Sequence, residues 1–336
     1  MAGLKRIFSA LYVLATVAIF GAAITAVLGF AHPAMDLFNH IQPALFFGAL
    51  TLMLLAPIAV QAHRARAVAL ALAATALSAS SIIYIPEVIA GFAVSAPASA
   101  SSDRSQYRLI TFNVFGRNDD PQALVANIIA IDADIVALQE YSREVRRAVH
   151  GELAEHYPHF QYCVGGRRAF VGLYSKLPFE PLDADACSAS AVNDDRTARI
   201  VVRFLPDDAA PFTLATTHND WPAPITRQVD QFNTLRDALS NITQPLILAG
   251  DFNSTPWSYT LRRFVTEAGM IRHTFNLPTF PTLWYYLGDW RPTWPILPID
   301  HVMTRGDIVI HELETGEPSG SDHLPVIVTF SVNTSW

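Results

Sequence analysis

The stretch Leu248-Ala-Gly-Asp-Phe-Asn-Ser-Thr-Pro256 joins an apolar segment to a polar turn. The run Pro245-Leu-Ile-Leu-Ala249 that leads into it is typical of a buried strand, and Gly250 ends that run. Asp251 and Asn253 then stand side by side at the strand end. An acid and an amide in this position suit a hard cation or a water that becomes a nucleophile. An Asx turn that simply closes the strand would leave the same pattern.

The 336-residue chain changes composition at about Ser101. Its mean hydropathy of +0.25 is high for a soluble protein, and the apolar excess lies before that point. Only 4 of the 23 basic and 2 of the 30 acidic residues precede Ser101, which leaves 19 basic and 28 acidic residues and a formal charge of −9 in the rest. This charge disfavours generic binding to duplex nucleic acid, which relies on clustered Lys and Arg.

Residues 1–95 contain three apolar segments of bilayer-spanning length. They cover about 7–30, 41–60 and 67–84, and the last can extend to residue 94. None of the three contains a charged residue. A cleaved signal peptide would account for the first segment but not for all three. The sequence therefore predicts three transmembrane α-helices that attach the protein to a lipid bilayer.

Positive charges set the expected orientation of these helices. Lys5 and Arg6 precede the first helix, Arg64 and Arg66 lie between the second and the third, and the first connecting loop carries Asp36 without Lys or Arg. Because basic loops favour the cytoplasm, we expect a multi-pass protein of the plasma (inner) membrane with a cytoplasmic N-terminus. Everything after the third helix is then extracytoplasmic, on the periplasmic side.

The remaining chain is interpreted as a linker, residues 96–106, and an exterior domain, residues 107–336. The linker is rich in Ala and Ser, which is typical of irregular structure. Cys163 and Cys187 both fall in the exterior domain. An oxidising compartment permits a disulfide between them, although two isolated buried thiols are also consistent with the sequence.

In the exterior domain, segments with strand patterns alternate with helical ones. Strand patterns occur at 108–114, 134–138, 170–175, 199–204, 212–217, 245–249 and 326–330. Helices are expected at 121–131, with Asp120 as the N-cap, and at about 225–239. The order predicts a layered α/β or α+β domain. Residues 279–298, rich in Pro and aromatic side chains, are interpreted as a long ordered loop.

Polar residues collect at the ends of these strands in a characteristic order. They are Asn113, Gln139-Glu140, His218, Gly250-Asp-Phe-Asn253, Asp300-His301 and Ser321-Asp-His323. Each has a structural explanation when taken singly. As an ordered set they resemble the endonuclease/exonuclease/phosphatase superfamily, the group related to DNase I, abasic-site endonucleases, neutral sphingomyelinases and inositol polyphosphate 5-phosphatases. The resemblance extends from Arg108 to the C-terminus, and it implies a DNase I-like, four-layered α/β sandwich with its site at one end of two sheets.

The same resemblance implies a metal-dependent phosphoester hydrolase. Glu140 would be the principal ligand of Mg²⁺ or Mn²⁺, with Asn113 and Asp322 near the same ion. Oxygen ligands are those that Mg²⁺ and Mn²⁺ prefer. Zinc is disfavoured, since no Cys or His cluster in the sequence has the spacing of a zinc site. Asp300 would orient His323, which would serve as general base or as a ligand of the phosphate.

Further roles follow from the same resemblance. Asp251 would position or deprotonate the attacking water. Asn253 and His218 would bind the phosphoryl oxygens, and His218 is also the better candidate for assisting the leaving group. Arg196 and Arg199 are candidates for additional phosphate contacts, although no motif fixes either.

Departures from the family pattern bear on the substrate. Pro298-Ile-Asp-His301 stands where the 5-phosphatases carry Trp-Cys-Asp-Arg, and Val114-Phe-Gly-Arg117 lacks the second acid of the abasic endonucleases. Enzymes of the DNase I type have a Glu that supports the first catalytic histidine. The corresponding stretch here, Gly172-Leu-Tyr-Ser-Lys176, contains no Glu. The pattern is most similar to membrane-anchored bacterial members of the superfamily.

Two phosphoester substrates stay open at this point, a nucleic acid and a lipid headgroup. The three helices and the aromatic segment 279–298 favour a substrate at the membrane surface. A noncatalytic membrane-anchored binding module is the alternative of another class, and it predicts loss of site residues that are all present here. No protein partner can be inferred.

Overall fold

The computed structural model describes residues 2–94, 105–165, 168, 170–182, 198–207, 209–286 and 289–333. Two compact units form, one from Met1–Phe92 with Pro256–Arg262, the other from Ala93–Thr255 with Arg263–Trp336. Residues 256–262 therefore belong to the unit that contains the N-terminal helices. Cys187 and Arg196 lie outside the described residues, so both interpretations of the cysteines, a disulfide between Cys163 and Cys187 or two isolated thiols, stay predictions.

The first unit contains three helices that are long and apolar enough to cross a membrane, as the sequence predicts. They are α1 (Ala2–Val27), α3 (Gln42–Ala59) and α4 (His63–Val94), with α2 (Pro33–Asp36) and 3-10 turns at Leu28–Phe30 and Leu37–Ile41 between α1 and α3. Helix α4 starts at His63, before the predicted apolar segment. Arg64 and Arg66 have good helix propensity, so the helix continues beyond its apolar part.

Small side chains line the contact between these helices. Ala23 of α1, Ala49 of α3 and Ala76 of α4 are fully buried in one cluster. Small residues allow helix backbones to approach closely, which is the usual way helices associate in lipid. The Tyr12 hydroxyl also donates a hydrogen bond to the Leu52 carbonyl at 2.8 Å.

Two six-stranded mixed sheets make up most of the second unit. The first contains β1 (Tyr107–Asn113), β2 (Ile135–Gln139), β3 (His159–Cys163), β4 (Val171–Ser175), β13 (Ile308–Thr315) and β14 (Val326–Val332), in the order β13-β14-β1-β2-β4-β3. The second contains β5 (Phe179–Pro181), β6 (Ala198–Phe204), β7 (Phe212–His218), β8 (Leu246–Asp251), β9 (Ile271–Arg272) and β12 (Asp300–Arg305), in the order β5-β6-β7-β8-β12-β9. Only β1 with β2 and β7 with β8 pair in parallel among these described strands.

Helices cover the outer faces of both sheets. They are α5 (Pro121–Ile131) and α6 (Arg143–His156) on the first sheet, and α7 (Ile225–Leu239) and α8 (Tyr259–Glu267) on the second. Asp120 caps α5 by accepting a hydrogen bond from the Ala123 amide at 3.0 Å, as predicted. Phe232 of α7 and Phe264 of α8 pack against Phe252 at the end of β8. The four-layered, DNase I-like sandwich is thus confirmed.

The apolar core lies between the two sheets and ends in a polar layer. Alternate residues of β1, β2, β6, β7 and β8 face each other in one buried cluster. At the end of the second sheet, Ala198, His218, Asp251 and Asp300 occupy one register row across β6, β7, β8 and β12. These residues continue the inner face beyond the apolar core.

The segment 279–298 contains a hairpin that was expected as a loop. Strands β10 (Leu283–Tyr286) and β11 (Asp289–Pro292) pair antiparallel. Trp and Tyr have high strand propensity, but the segment lacks the apolar and polar alternation by which a strand is recognised.

Candidate active site

Three functional side chains reach the site from adjacent strand ends of the second sheet. They are His218, Asp251 and Asp300, which pair in register across three strands, and each is only 1% exposed. Gly250 makes this close pairing possible. Its φ is +153°, and a Cβ atom there would lie 2.0 Å from the Thr217 carbonyl oxygen of β7. A side chain at position 250 would therefore push β7 and β8 apart beside Asp251.

The first sheet contributes two buried amides that bridge to the second. Asn113 ends β1, and its Nδ2 donates to Asp251 Oδ2 at 2.9 Å. Gln139 ends β2, and its Nε2 donates to Thr216 Oγ1 of β7 at 3.0 Å. Because β1 and β2 run parallel, their carboxyl ends meet at the same edge. The site is thus built from both sheets at one end of the sandwich.

Glu140 follows β2 in a left-handed conformation with φ of 52°. Its Oε2 accepts a hydrogen bond from the Gly116 amide at 3.0 Å, and its Oε1 lies 3.9 Å from His218 Nε2. Burial works against ionisation, but the two site histidines, the Gly116 amide and Arg168 outweigh it and lower the pKa of Glu140. With 30% of its side chain exposed, Glu140 is an ionised carboxylate open to a ligand.

His323 is held between two acids. Its Nδ1 donates to Asp300 Oδ2 at 2.8 Å, and its Nε2 lies 3.8 Å from Asp251 Oδ2. Thr279 Oγ1 donates to the same Asp300 oxygen at 2.5 Å. Burial alone would lower the pKa of His323, but the charge and hydrogen bond of Asp300 and the charge of Asp251 raise it to about 10. His323 is therefore an imidazolium at neutral pH.

The loop that carries His323 is tied to the first sheet. The Ser321 hydroxyl donates to the Asn113 carbonyl at 2.6 Å and accepts from the His323 amide at 3.0 Å. The ring of Phe280 packs 4.8 Å from the His323 ring. These contacts fix the orientation of the imidazole.

The pKa values of Asp251 and His218 are shifted in opposite directions. Burial and the nearby charge of Asp300 raise the pKa of Asp251 to about 7. Burial lowers the pKa of His218 to about 4, which leaves a neutral imidazole. Asn253 contacts both, since its amide N donates to Asp251 Oδ1 at 2.8 Å and its Nδ2 lies 3.3 Å from His218 Nε2. The site thus combines a carboxyl that titrates near neutrality with hydrogen-bond donors around it.

Two groups of residues have the composition of a cation site. Asp251, Asp300 and His323 have potential ligand atoms within 4.8 Å of one another. In this group Asp300 and His323 already bond to each other, since His323 Nδ1 donates to Asp300 Oδ2 at 2.8 Å. Asp322 is the better partner for Glu140: burial and the nearby charge of Glu140 together raise the pKa of Asp322 to about 6, although the charge of His323 works against them. Two acids that repel in this way gain stability from a cation between them.

The basic residues at the site differ from those expected. Arg199 sits in β6 next to Ala198, so its side chain lies on the outer face of the sheet, away from the row of site residues. Arg168, which precedes β4, instead lowers the pKa of both Glu140 and His218, and its Nε donates to Asp220 Oδ1 at 2.8 Å. The paired Arg167 and Arg168 next to a strand start was the available sequence signal.

Of the expected residues, the structure groups Asn113, Glu140, His218, Asp251, Asn253, Asp300, Asp322 and His323 at this end of the sandwich. His301, beside Asp300, points away and bonds to Thr274 Oγ1 and the Ser254 carbonyl. The sequence did not predict that Thr279 would bond to Asp300, because nothing in its aromatic segment distinguishes this threonine from the others.

This combination of two packed sheets and a buried acid, amide and histidine cluster at their ends defines a phosphoester hydrolase of the DNase I-like fold. The sequence model described as "Endonuclease/Exonuclease/phosphatase family" matches residues 110–323. The chain belongs to that family.

Solved structures agree with this fold. The chain is similar to the endonuclease/exonuclease/phosphatase from Bacteroides vulgatus, with 18% identity, 68% of this chain and 100% of that chain covered, and a TM-score of 0.51. It is also similar to sphingomyelinase C from Streptomyces griseocarneus, with 18% identity, the same coverage of 68% and 100%, and a TM-score of 0.50. At this identity the likeness shows the fold. Comparison with curated protein sequences gave no match.

Proposed function

We propose that this protein is a divalent-metal-dependent phosphodiesterase whose catalytic domain, residues 107–336, lies outside the plasma membrane to which residues 1–95 attach it. One observation carries the proposal. A buried carboxyl with a pKa of about 7, Asp251, lies 3.8 Å from an imidazolium, His323. A proton acceptor and a cationic donor side by side are what hydrolysis of a phosphoester needs.

Asp251 is the group that accepts the proton of the attacking water. A pKa near the working pH keeps a large fraction of it ionised while it is still basic enough to take a proton. Asn113 Nδ2 and the Asn253 amide fix its two oxygens. As the water loses its proton to Asp251, its oxygen forms the new bond to phosphorus and the bond to the leaving oxygen breaks.

Three donors surround the position of the phosphoryl group. His323, kept protonated by Asp300, donates from Nε2 to a phosphoryl oxygen. His218 is neutral, since its pKa is lowered to about 4 by burial, and this favours hydrogen bonding over proton transfer to the leaving group. Asn253 Nδ2 is the third donor: one of its hydrogens bonds to the Asn219 carbonyl at 2.9 Å, and the other, 3.3 Å from Asp251 Oδ2, would turn to a phosphoryl oxygen. Fixed donors in a buried site stabilise the charge that develops on these oxygens.

Glu140, Asp322 and Asn113 would hold Mg²⁺ or Mn²⁺. The amide oxygen of Asn113 accepts one hydrogen bond, from the Phe115 amide at 3.0 Å, and retains a second lone pair. Carboxylate and amide oxygens are the ligands these ions prefer. When bound, the ion would neutralise charge on the phosphoryl and leaving oxygens.

The test uses the full chain in lipid nanodiscs with bis(4-nitrophenyl) phosphate as substrate. We expect Mg²⁺-dependent release of nitrophenol, loss of activity in EDTA, and loss in Glu140→Gln. Glu144→Gln is the matched control, because Glu144 is an exposed acid four residues along. Full activity of Glu140→Gln would overturn the assignment of the cation site.

The proposed orientation has its own test. A reporter phosphatase that is active only outside the cytoplasm, fused after Ser102, should be active. The positive charges of residues 5, 6, 64 and 66 support this orientation. An expressed but inactive fusion would place the catalytic domain in the cytoplasm.

A lipid phosphoester is the second candidate substrate, and exposed aromatic side chains support it. Around the hairpin of β10 and β11, Trp284 is 60% exposed, Trp294 is 87% exposed and Ile296 is 67% exposed. Trp290 of the same hairpin packs on Phe115, which follows the site residue Asn113. Tryptophan is enriched where proteins meet the headgroup region of a bilayer. This exposed set suits a substrate embedded in a membrane surface.

The two substrates separate in a direct comparison. Trp294→Ala should slow hydrolysis of phospholipids in the nanodisc and leave hydrolysis of bis(4-nitrophenyl) phosphate unchanged. Single-stranded DNA and RNA serve as the competing substrates. Faster hydrolysis of nucleic acid than of lipid, with no effect of Trp294→Ala, would favour the nuclease.

A further inference from the structure

A chain of buried polar side chains runs through the unit that contains the membrane helices. Ser80 of α4 donates to Gln42 Oε1 of α3 at 2.6 Å. Gln42 Nε2 donates to Asn39 Oδ1 at 2.8 Å, and Asn39 Nδ2 donates to Asp36 Oδ1 at 2.8 Å. Ser80, Gln42 and Asn39 are fully buried, and Asp36 is 3% exposed. We name these four residues the polar chain.

The polar chain ends on the segment that begins α8. Asp36 Oδ2 accepts hydrogen bonds from the Ser258 hydroxyl at 2.8 Å and from the Thr260 amide at 2.9 Å. Asp36 Oδ1 accepts a further bond from the Tyr259 amide at 2.6 Å. The first amides of a helix have no partner within it, so a carboxylate that takes two of them caps the helix. Asp36 caps α8 from a distant part of the sequence.

Anchoring does not require such a chain. Apolar helices hold a protein in a bilayer, whereas buried polar groups cost free energy unless each finds a partner. Here each member is bonded to the next, and Asn39 Nδ2 also donates to the Ala26 carbonyl of α1 at 3.0 Å. The polar chain thus connects α1, α3 and α4 to residues 258–260. A network of this kind specifies one arrangement of the groups it joins.

Residues 258–260 follow the catalytic turn closely in the sequence. Asn253 is five residues before Ser258. The backbone of the turn is held on one side by Gln228, whose Nε2 donates to the carbonyls of Phe252 and Asn253 at 3.3 and 3.1 Å. On the other side the chain leads into the capped start of α8. The short segment 254–258 thus joins a turn held by Gln228 to a helix start capped by Asp36.

We propose that Asp36 is a positioning residue for the hydrolase: by capping the start of α8 it holds residues 258–260, which follow the catalytic turn in the chain. This rests on the proposed function, because the turn it positions carries Asp251 and Asn253. Asp36 touches no reacting atom. It acts by holding the segment that follows the catalytic turn.

Kinetics of the full chain in nanodiscs test the proposal. We expect Asp36→Ala to lower kcat about tenfold, a change of about 1.4 kcal/mol in the barrier, with KM within about twofold of the parent. Asp36→Asn should be intermediate, because an amide keeps one acceptor oxygen. Ser80→Ala, at the far end of the polar chain, should show a smaller fall in kcat. Ser81→Ala is the matched control, since its hydroxyl bonds only to the Leu77 carbonyl of its own helix among the described contacts.

Amide hydrogen exchange supplies a readout independent of activity. In Asp36→Asn, which is less disruptive than Asp36→Ala, the Tyr259 and Thr260 amides should exchange faster, and so should the Asn253 amide. Unchanged exchange at Asn253 with unchanged kcat would overturn the proposal and leave Asp36 as a local cap. If the parent protein hydrolyses no phosphoester, the proposed function fails, and exchange at Asn253 alone then decides whether Asp36 positions the turn.

Discussion

Two buried aspartates of this chain, Asp36 and Asp300, contrast in how completely they are hydrogen-bonded. Both oxygens of Asp36 accept bonds, four in all, from Asn39, Ser258, Tyr259 and Thr260. Asp300 accepts two bonds at Oδ2, while its Oδ1 is buried and has no hydrogen-bond partner among the described residues. The first arrangement is complete as it stands.

The same contrast extends to other groups at the site. His218 Nδ1 and Asn253 Oδ1 are also buried without a hydrogen-bond partner in the described part of the chain. A buried polar group left without a partner costs about 1–3 kcal/mol. Such groups cluster where a ligand or substrate completes them. Burial of a charge alone therefore does not mark a functional site, since Asp36 is as buried as Asp300 and fully bonded; at the site, several unpartnered polar atoms lie together.

The largest expected effect is the loss of catalysis on substitution of Asp251 in the candidate active site. Asp251→Asn removes the proton acceptor but keeps the shape of the side chain, so we expect kcat to fall by roughly 10²–10⁴-fold, the usual contribution of a general base. The unfolding temperature should stay the same or rise, because a buried acid is neutralised. Steady-state kinetics and thermal unfolding measure both quantities. Asp119→Asn, an exposed acid, is the control; equal kcat in the two variants would refute the role of Asp251.

The free energy of unfolding should fall most when Asp36, the fully hydrogen-bonded aspartate, is replaced. Asp36→Ala leaves several buried donors without an acceptor, at about 1–3 kcal/mol each. We therefore expect a fall of several degrees in the unfolding temperature of the full chain in detergent. Asp300→Asn should cost less, because it keeps an acceptor for His323 and Thr279. A larger fall for Asp300→Asn than for Asp36→Ala would contradict this prediction.

A pH effect on stability follows from His301, which is bonded at both ring nitrogens. Burial lowers its pKa to about 3, against 6.5 in the unfolded chain. The unfolded state therefore binds the proton first, and stability is lost as pH falls from 6.5 towards 3, by at most about 1.4 kcal/mol per pH unit. Above pH 6.5 this contribution is constant. Chemical unfolding at pH 7 and pH 5 should differ more in the parent than in His301→Gln, and an equal difference would contradict the prediction.

The smallest expected effect concerns Thr279. Thr279→Val removes one hydrogen bond to Asp300 while keeping the side-chain volume, so His323 loses part of its orientation. We expect kcat to fall by roughly threefold to tenfold, about 1 kcal/mol, with KM unchanged. Thr274→Val is the matched control, since Thr274 bonds to His301 instead. Equal kcat in the two variants would show that Thr279 does not act on His323.

The sequence predicted the fold well where a local pattern was strong. The apolar run before Gly250, the cap at Asp120 and the three long apolar segments predict a strand, a helix start and three long helices, and the structure confirms these elements. The site residues at strand ends could be proposed because their order along the chain resembles that of a known family.

What the sequence could not give depends on long-range geometry. Arg168 and Arg199 both flank strands, and only the register of β6 shows that Arg199 lies on the outer face. The sequence places Asp36 in a connecting loop and does not predict its hydrogen bonds, since its partners at 258–260 lie more than 200 positions away. The hairpin at 283–292 has no alternating pattern, so its pairing is visible only in the structure.

The register row of His218, Asp251 and Asp300 has a consequence for assembly of the chain. Successive side chains of a strand alternate between faces, so a slip of β8 by one residue would turn Asp251 to the helix side and place Gly250 in the row. Every catalytic side chain of the second sheet would then lose its neighbours at once. Under the proposed function, activity therefore depends on correct alignment of β8, and a variant that keeps partial activity has a correctly paired sheet.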